Sequence, residues 1–343
     1  MASARPGSTF GVICILATLL GWASVFLFLK YLTGQIDPWT ANGWRYGLSA
    51  LLWLPVLLIG LYRGNLPAGL WRLAIVPAAI NGVAQVMYAL APYYIGAGFA
   101  GFLVRVSVVS SLCGAFLMFS DERVLFRSAK FWIGLALVVA GSYGTIHYSN
   151  EKFHGGAVIG IVCGAASGLL YGFYSVSVRY YMRGIPSLTA FAVICLYTAL
   201  GLIVPMVIFG REHGLVVRHL SGFAWTMLGL SAFLGIAMGH VAYYAAINRL
   251  GVAVSNGILQ VAPFLTAIGS LILFDEQLTI GQWICGAILF VGAVLLLAAE
   301  QARHRGPSTV IEPIAQAIDV TAAAPFTRTA RVPVISSSKP TDK

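Results

Sequence analysis

Ten apolar runs of about 20 residues, separated by short charged patches, leave this chain few ways to fold. At roughly 1.5 Å per residue, a helix of that length crosses the hydrocarbon of a bilayer. Inside lipid every backbone amide must find its partner within the protein, which permits only helices and closed barrels. Barrel strands would be about ten residues long with alternating polarity, whereas these runs are continuous and longer. Charged residues make up 9% of the 343 and apolar residues 59%, with a mean hydropathy of +0.86. Soluble domains carry roughly 25% charged residues, so too little polar surface is present here for a soluble fold. The expectation is an all-α integral membrane protein with ten transmembrane helices. They fall near 10–30, 39–61, 70–92, 98–119, 131–147, 156–178, 188–210, 222–246, 251–274 and 281–299. The first run follows Arg5 as a signal peptide would, but it exceeds a typical signal core and is read as a retained span.

The net charge of +10 raises the question of a polyanionic partner, and its placement answers it. With residues 1–9 in the cytoplasm, that face collects nine loop cations: Arg5, Arg63, Arg72, Arg123, Arg127, Lys130, Arg179, Arg183 and Arg249. The far face collects four, Lys30, Lys152, Arg211 and Arg218. That asymmetry is the positive-inside pattern of a cytoplasmic membrane protein. Residues 301–343, rich in Ala, Pro, Ser, Thr and Arg, read as a disordered tail on the same side. The basicity therefore reports topology, and no nucleic acid is expected. Cys14, Cys113, Cys163, Cys195 and Cys285 all lie in predicted spans without metal-ligand spacing, and read as packing residues.

The chain is written twice. Trp22, Lys30 and Pro38 stand eight residues apart; Tyr171, Arg179 and Pro186 repeat the spacing to within one residue. "YALAPYYIG" (88–96) matches "YYAAINRLG" (243–251), and acidic pairs follow at Asp121-Glu122 and Asp275-Glu276. Trp132-Ile133 and Trp283-Ile284 come next, each before a closing span. Five spans per unit is an odd number, so the second unit enters the membrane from the opposite side. That is an inverted repeat, a plan common among secondary transporters. The units are 10–147 and 156–300, joined by a loop over 148–155.

These features resemble the EamA-type branch of the drug/metabolite transporter superfamily over about residues 8 to 300. The opening Trp22…Lys30…Pro38 carries the resemblance, as do both acidic pairs and "DEQLTIGQWICGAILFVGAVLLL" (275–297). The first unit departs from that ending in "DERVLFRSAKFWIG", and Pro263 has no proline counterpart in the fourth span. The resemblance implies a carrier that moves a small metabolite, often outward, through a cavity between the repeats.

All eleven acids lie in loops, at span ends or in the tail. Intramembrane acid catalysis and a buried-carboxylate proton relay are both disfavoured, and no hydrolase, metalloprotease or phosphate-loop motif is present. No enzyme and no cofactor are expected. Four polar positions remain at depth. Arg105 stands about 10 Å in from Gly98; it either snorkels to the nearer interface or faces a wet cavity and pairs with an anionic group. Gln85 and His240 occupy matching positions three residues before Tyr88 and Tyr243. They either line one cavity or bond neighbouring helices, and His240 is the candidate for any proton coupling. Gln260 sits beside Pro263, which frees a backbone carbonyl. Trp22, Tyr88, Tyr171 and Tyr243 are raised above ordinary interfacial aromatics by the repeat pairing and are candidates to stack on substrate. Gly156, Gly160, Gly164, Gly168 and Gly172 form a flat strip for close helix contact, either between the repeats or at a dimer face. The reading is a secondary transporter of an anionic or zwitterionic metabolite, such as an amino acid. The alternative is a non-transporting membrane receptor or assembly protein on the same fold, and monomer and homodimer both stay open.

Overall fold

A computed structural model describes residues 6–119, 127–150, 155–250 and 252–304, all helix, turn or loop with no strand. Ten helical spans form. They are α1 (Pro6–Thr33), α2 (Pro38–Tyr62), α3 (Leu70–Tyr93), α4 (Ala97–Met118) and α5 (Ala129–His147), followed by α6 (Gly155–Tyr181), α7 (Ser187–Phe209), α8 (Gly222–Ala246), α9 (Ser255–Phe274) and α10 (Ile280–His304). All ten are long and apolar enough to cross a membrane. The helical turns of α8 run on to Leu250 and α9 begins at Val252. Residue 251 and the Asp121-Glu122 pair lie outside the described residues, as does the tail beyond 304; residues 301–304 continue α10.

The helices pack as two units of opposite orientation. α1 lies along α8 as α6 lies along α3, and α1 meets α9 as α6 meets α4. α2 meets α8 as α7 meets α3. The contacts of α2 with α7, α4 with α9 and α5 with α10 join equivalent elements and so lie on the pseudo-two-fold axis. Small residues set the closest of these. A β-carbon added at Gly134 would lie 2.9 Å from the Gly292 carbonyl oxygen, and one at Gly141 would lie 2.6 Å from the Leu289 nitrogen. Helix backbones in lipid approach this closely only where side chains are absent.

The glycine strip of α6 is such a contact. Gly160 faces Ile95, Gly164 faces Leu103, Gly168 faces the Val104 backbone and Gly172 faces Ser110 and Ser111. The strip therefore joins the second repeat to α4 of the first.

Outside the membrane, two loops on one face are tied together. Asp37 caps α2, accepting from the Thr40 amide at 2.9 Å and the Thr40 hydroxyl at 2.6 Å, and it also takes the Arg211 amide at 2.9 Å. The Arg211 guanidinium donates to the Gln35 carbonyl, and the Trp44 indole donates to the Gly214 carbonyl at 2.8 Å. Burial would raise the Asp37 carboxyl, but these hydrogen bonds outweigh it and hold the group below its ordinary value. A depressed carboxylate stabilises the fold above its unfolded pKa of about 3.9 and loses that stabilisation as pH falls through the folded value. Asp37→Ala is expected to cost about 1 kcal/mol, as loss of a helix cap does. The melting temperatures of wild type and variant should differ at pH 7 and converge as pH is lowered through the folded pKa. A constant difference down to pH 2 would contradict the assignment.

On the same face, Lys30 at the end of α1 pairs with Glu276 at 2.8 Å and reaches the Ile95 carbonyl at 3.4 Å. Glu276 also accepts from the Ala97 amide at 2.7 Å and from the Ser270 hydroxyl. A carboxylate thus caps the first turn of α4, where it complements the helix dipole.

Candidate functional site

Two of the spans on the pseudo-two-fold axis are broken, and they break side by side. α4 runs as a helix from Ala97 to Leu103, tightens into a 3₁₀ turn over Val104–Val106, and resumes at Ser107. α9 stops at Leu259 and restarts at Ala262 with Pro263 in the first turn. Proline carries no N–H, so the carbonyl four residues earlier, that of Leu259, has no helical partner. Arg105, in the tightened turn of α4, donates from Nη1 to that carbonyl at 3.4 Å. Gln260 follows directly, buried, with its Oε1 unpartnered.

The break lies deep. Val104 packs its backbone on Gly168, the middle residue of the 27-residue α6. The connection before α4 is recessed, with Ile95 already level with Gly160, so Arg105 stands deeper than a count from Gly98 suggests. Arg105 is half-buried, and its Nε is enclosed without a partner.

Around this junction the structure gathers the sequence candidates in two groups. In the first, Tyr88 stacks on Phe26 with ring centroids 4.2 Å apart and meets Tyr171 edge-on at 5.7 Å. Tyr88 is within electrostatic reach of Arg105 and of a second arginine, Arg45, which the sequence reading did not single out. Arg45 is 1% exposed. Its Nη1 contacts Asn42 Oδ1 at 3.4 Å and its Nε has no partner. Asn42 in turn donates to the Gln85 backbone carbonyl at 2.8 Å, and the Gln85 Oε1 is unpartnered.

In the second group Trp22 lies 5.2 Å from Tyr243 and 5.4 Å from His240, and His240 stacks on Phe191 at 4.5 Å. The His240 Nδ1 lies 3.0 Å from the Ile236 carbonyl, which places its proton on that nitrogen. The Tyr243 hydroxyl donates to Asn256 Oδ1, and Gln260 Nε2 donates to the Asn256 carbonyl at 3.3 Å. A π-helical turn over Phe233–Ala237 precedes His240 and widens α8, a feature that often marks functional sites.

The two groups are related by the repeat. Trp22 on Tyr243 and Tyr171 on Tyr88 are equivalent pairs, and Gln85 and His240 stand at equivalent places on α3 and α8. The hydrogen bond from Arg105 to Leu259 joins them. Two apolar grooves, one along Trp132, Val139 and Tyr143 and one along Leu48, Leu52 and Phe233, lie on the periphery. Their linings offer lipid contact and no chemistry. Among the described residues, no group of three or more His, Cys, Asp and Glu side chains is arranged to hold a metal ion.

Fold and junction together define an integral membrane protein of two inverted five-helix repeats with broken helices facing each other across its axis. The chain belongs to the EamA-like transporter family, whose pattern matches residues 9–146 and 158–298, one match per repeat, and hence to the drug/metabolite transporter superfamily. A protein of Haemophilus influenzae described as an uncharacterized transporter is 24% identical over 182 residues, covering 53% of this chain and 59% of its own length. The match thus spans less than two thirds of that relative. A solved crystal structure is similar in fold, with a TM-score of 0.58 at 17% identity, covering 84% of this chain and 97% of the other.

Proposed function

We propose that the protein is a secondary carrier working by alternating access, and that it binds a small anionic or zwitterionic metabolite at the junction of α4 and α9. The observation that carries this reading is the Arg105 guanidinium seated between two helix breaks, beside the middle turn of α6. Irregular backbone at that depth is tolerated where it lines a cavity or a site. Uncompensated, an arginine there costs between about 2.5 and 17 kcal/mol, so a role for its charge is required. Gln85, His240, Gln260, Trp22, Tyr88, Tyr171 and Tyr243 supply the surrounding walls. A proton-coupled cycle would run through His240. Two inverted units of similar packing support inward- and outward-open states of similar energy. The charge asymmetry supports a bacterial cytoplasmic membrane with both ends inside, and the family resemblance supports export.

The test is a thermal-shift screen of purified wild type and Arg105→Leu against amino acids, organic acids, sugar phosphates, nucleosides and cationic drugs. Anionic or zwitterionic compounds are expected to stabilise the wild type and not the variant. Equal responses of both proteins, or responses to cations only, would overturn the assignment.

A further inference from the structure

The site holds more positive charge than a zwitterion can use. Arg45 and Arg105 both carry guanidinium groups, which stay protonated in proteins. Arg45 stands seven residues into α2 and Arg105 eight residues into α4. Packing brings both toward Tyr88: Val104, next to Arg105, lies on Gly168, one helical turn from the Tyr171 that meets Tyr88, while Asn42, in contact with Arg45, bonds the Gln85 carbonyl one turn before Tyr88. Both lie within electrostatic reach of Tyr88. Among the described residues no carboxylate pairs with either arginine; the ion pairs formed by Glu212 and Glu276 lie elsewhere, and the ionisable neighbours of the two arginines are tyrosines.

Each guanidinium also keeps a donor in reserve. Nε of Arg45 and Nε of Arg105 are both enclosed without partners. The Nη1 contacts of both, to Asn42 and to the Leu259 carbonyl, are long at 3.4 Å. A buried donor without a partner is costly. Two such donors on planar forks suit anionic oxygens, which a guanidinium binds bidentately. A zwitterion placed here would bring its ammonium toward two cations with no acid in reach to receive it.

We propose that the transported substrate carries two negative charges, as a dicarboxylate or a phosphate monoester does, and that Arg45 and Arg105 together neutralise it beside Tyr88. This rests on the carrier reading above and narrows it. It also makes Arg45 a binding residue rather than a packing element of α2.

The test uses the full chain in detergent and compares ligands that differ by one charge at constant shape. Binding of succinate is measured against succinamate, and of glycerol 3-phosphate against glycerol, with alanine as the zwitterion. One of the two dianions is expected to bind at least about tenfold more tightly than its partner compound and than alanine, as an added charged hydrogen-bond pair implies. Which dianion responds distinguishes the carboxylate from the phosphate. Arg45→Gln should reduce that preference to about threefold or less, and Arg45→Lys should restore part of it. The ligand-free Arg45→Gln protein should melt no lower than wild type, because an uncompensated buried charge has been removed; a purely structural Arg45 would give a lower melt. Should Arg45→Gln not fold, the wild-type comparison of succinate with succinamate and of glycerol 3-phosphate with glycerol decides alone. Equal binding of succinamate or alanine that still depends on Arg105 overturns the dianion and leaves the carrier reading standing. Absence of binding by both dianions overturns the inference, and if Arg105→Leu then changes no ligand response, the site itself is lost with it.

Discussion

Gly168→Leu is expected to abolish transport and to destabilise the protein by about 1–3 kcal/mol or more, the range for forcing extra bulk into a packed contact. A β-carbon at Gly168 would lie 2.7 Å from the Val104 carbonyl oxygen and 3.1 Å from its Cα. Those are backbone atoms, and the turn they belong to is the one that aims Arg105. Neither a rotamer change nor a flexible tip can relieve the clash, so α4 must move off α6. The neighbouring contacts of Gly164 and Gly172 with Leu103, Ser110 and Ser111 would open with it. Gly201 is the control: it sits on an exposed face of α7, and an added β-carbon meets nothing within 4 Å. Gly201→Ala should be neutral, or stabilising by about 0.5–1 kcal/mol through backbone entropy. Melting curves of both variants check this, and a Gly168→Leu protein that melts with wild type would show that α6 does not hold α4 in place.

The second large effect concerns who takes the Leu259 carbonyl. Pro263 removes the helical donor to that oxygen, and Arg105 fills the vacancy at 3.4 Å. Pro263→Ala would supply an amide able to close the helix over the break. The variant should melt at or above wild type while transport falls, because Arg105 loses its seat. Arg105→Leu should reduce transport by about 30-fold or more, as truncating one partner of a buried charged contact does, with the fold kept. The pair separates stability from function: one change closes α9 over the break and the other leaves the Leu259 carbonyl without its donor, yet both are expected to lower flux. A Pro263→Ala protein with wild-type transport would contradict the role given to the break.

Much of this architecture was legible in the residues. Spans of lipid length and the five shared landmarks of the two units require only hydropathy and spacing, and ten helices in inverted packing are present. The equivalent pairs Trp22–Tyr243 and Tyr88–Tyr171 follow from the same register. The glycine strip read as either a repeat contact or a dimer face, and it packs on α4.

What stayed hidden depends on tertiary packing. Nothing in "LVRVSV" marks a break, since no proline or glycine stands there; the turn at Val104–Val106 lies beside the break in α9 and is joined to it by the Arg105–Leu259 hydrogen bond. The packing of Ile95 on Gly160 and of the Val104 backbone on Gly168, the middle of α6, has no local signature. Arg45 carries no local signal in "PWTANGWRYG", where Trp39 and Trp44 precede it near the start of the second span. In the folded bundle that segment is covered by α3, α7 and α8, and Arg45 is buried against Asn42, which bonds the Gln85 carbonyl.

The central claim is that substrate crosses through the junction where Arg105 meets Leu259. Solute counterflow tests it most directly, with wild type and Arg105→Leu reconstituted in matched amounts and labelled succinate or glycerol 3-phosphate as the probe. The account predicts accumulation of at least one label by the wild type and a loss of about 30-fold or more in the variant, at matched amounts of folded protein. Accumulation by Arg105→Leu at the wild-type rate would contradict it.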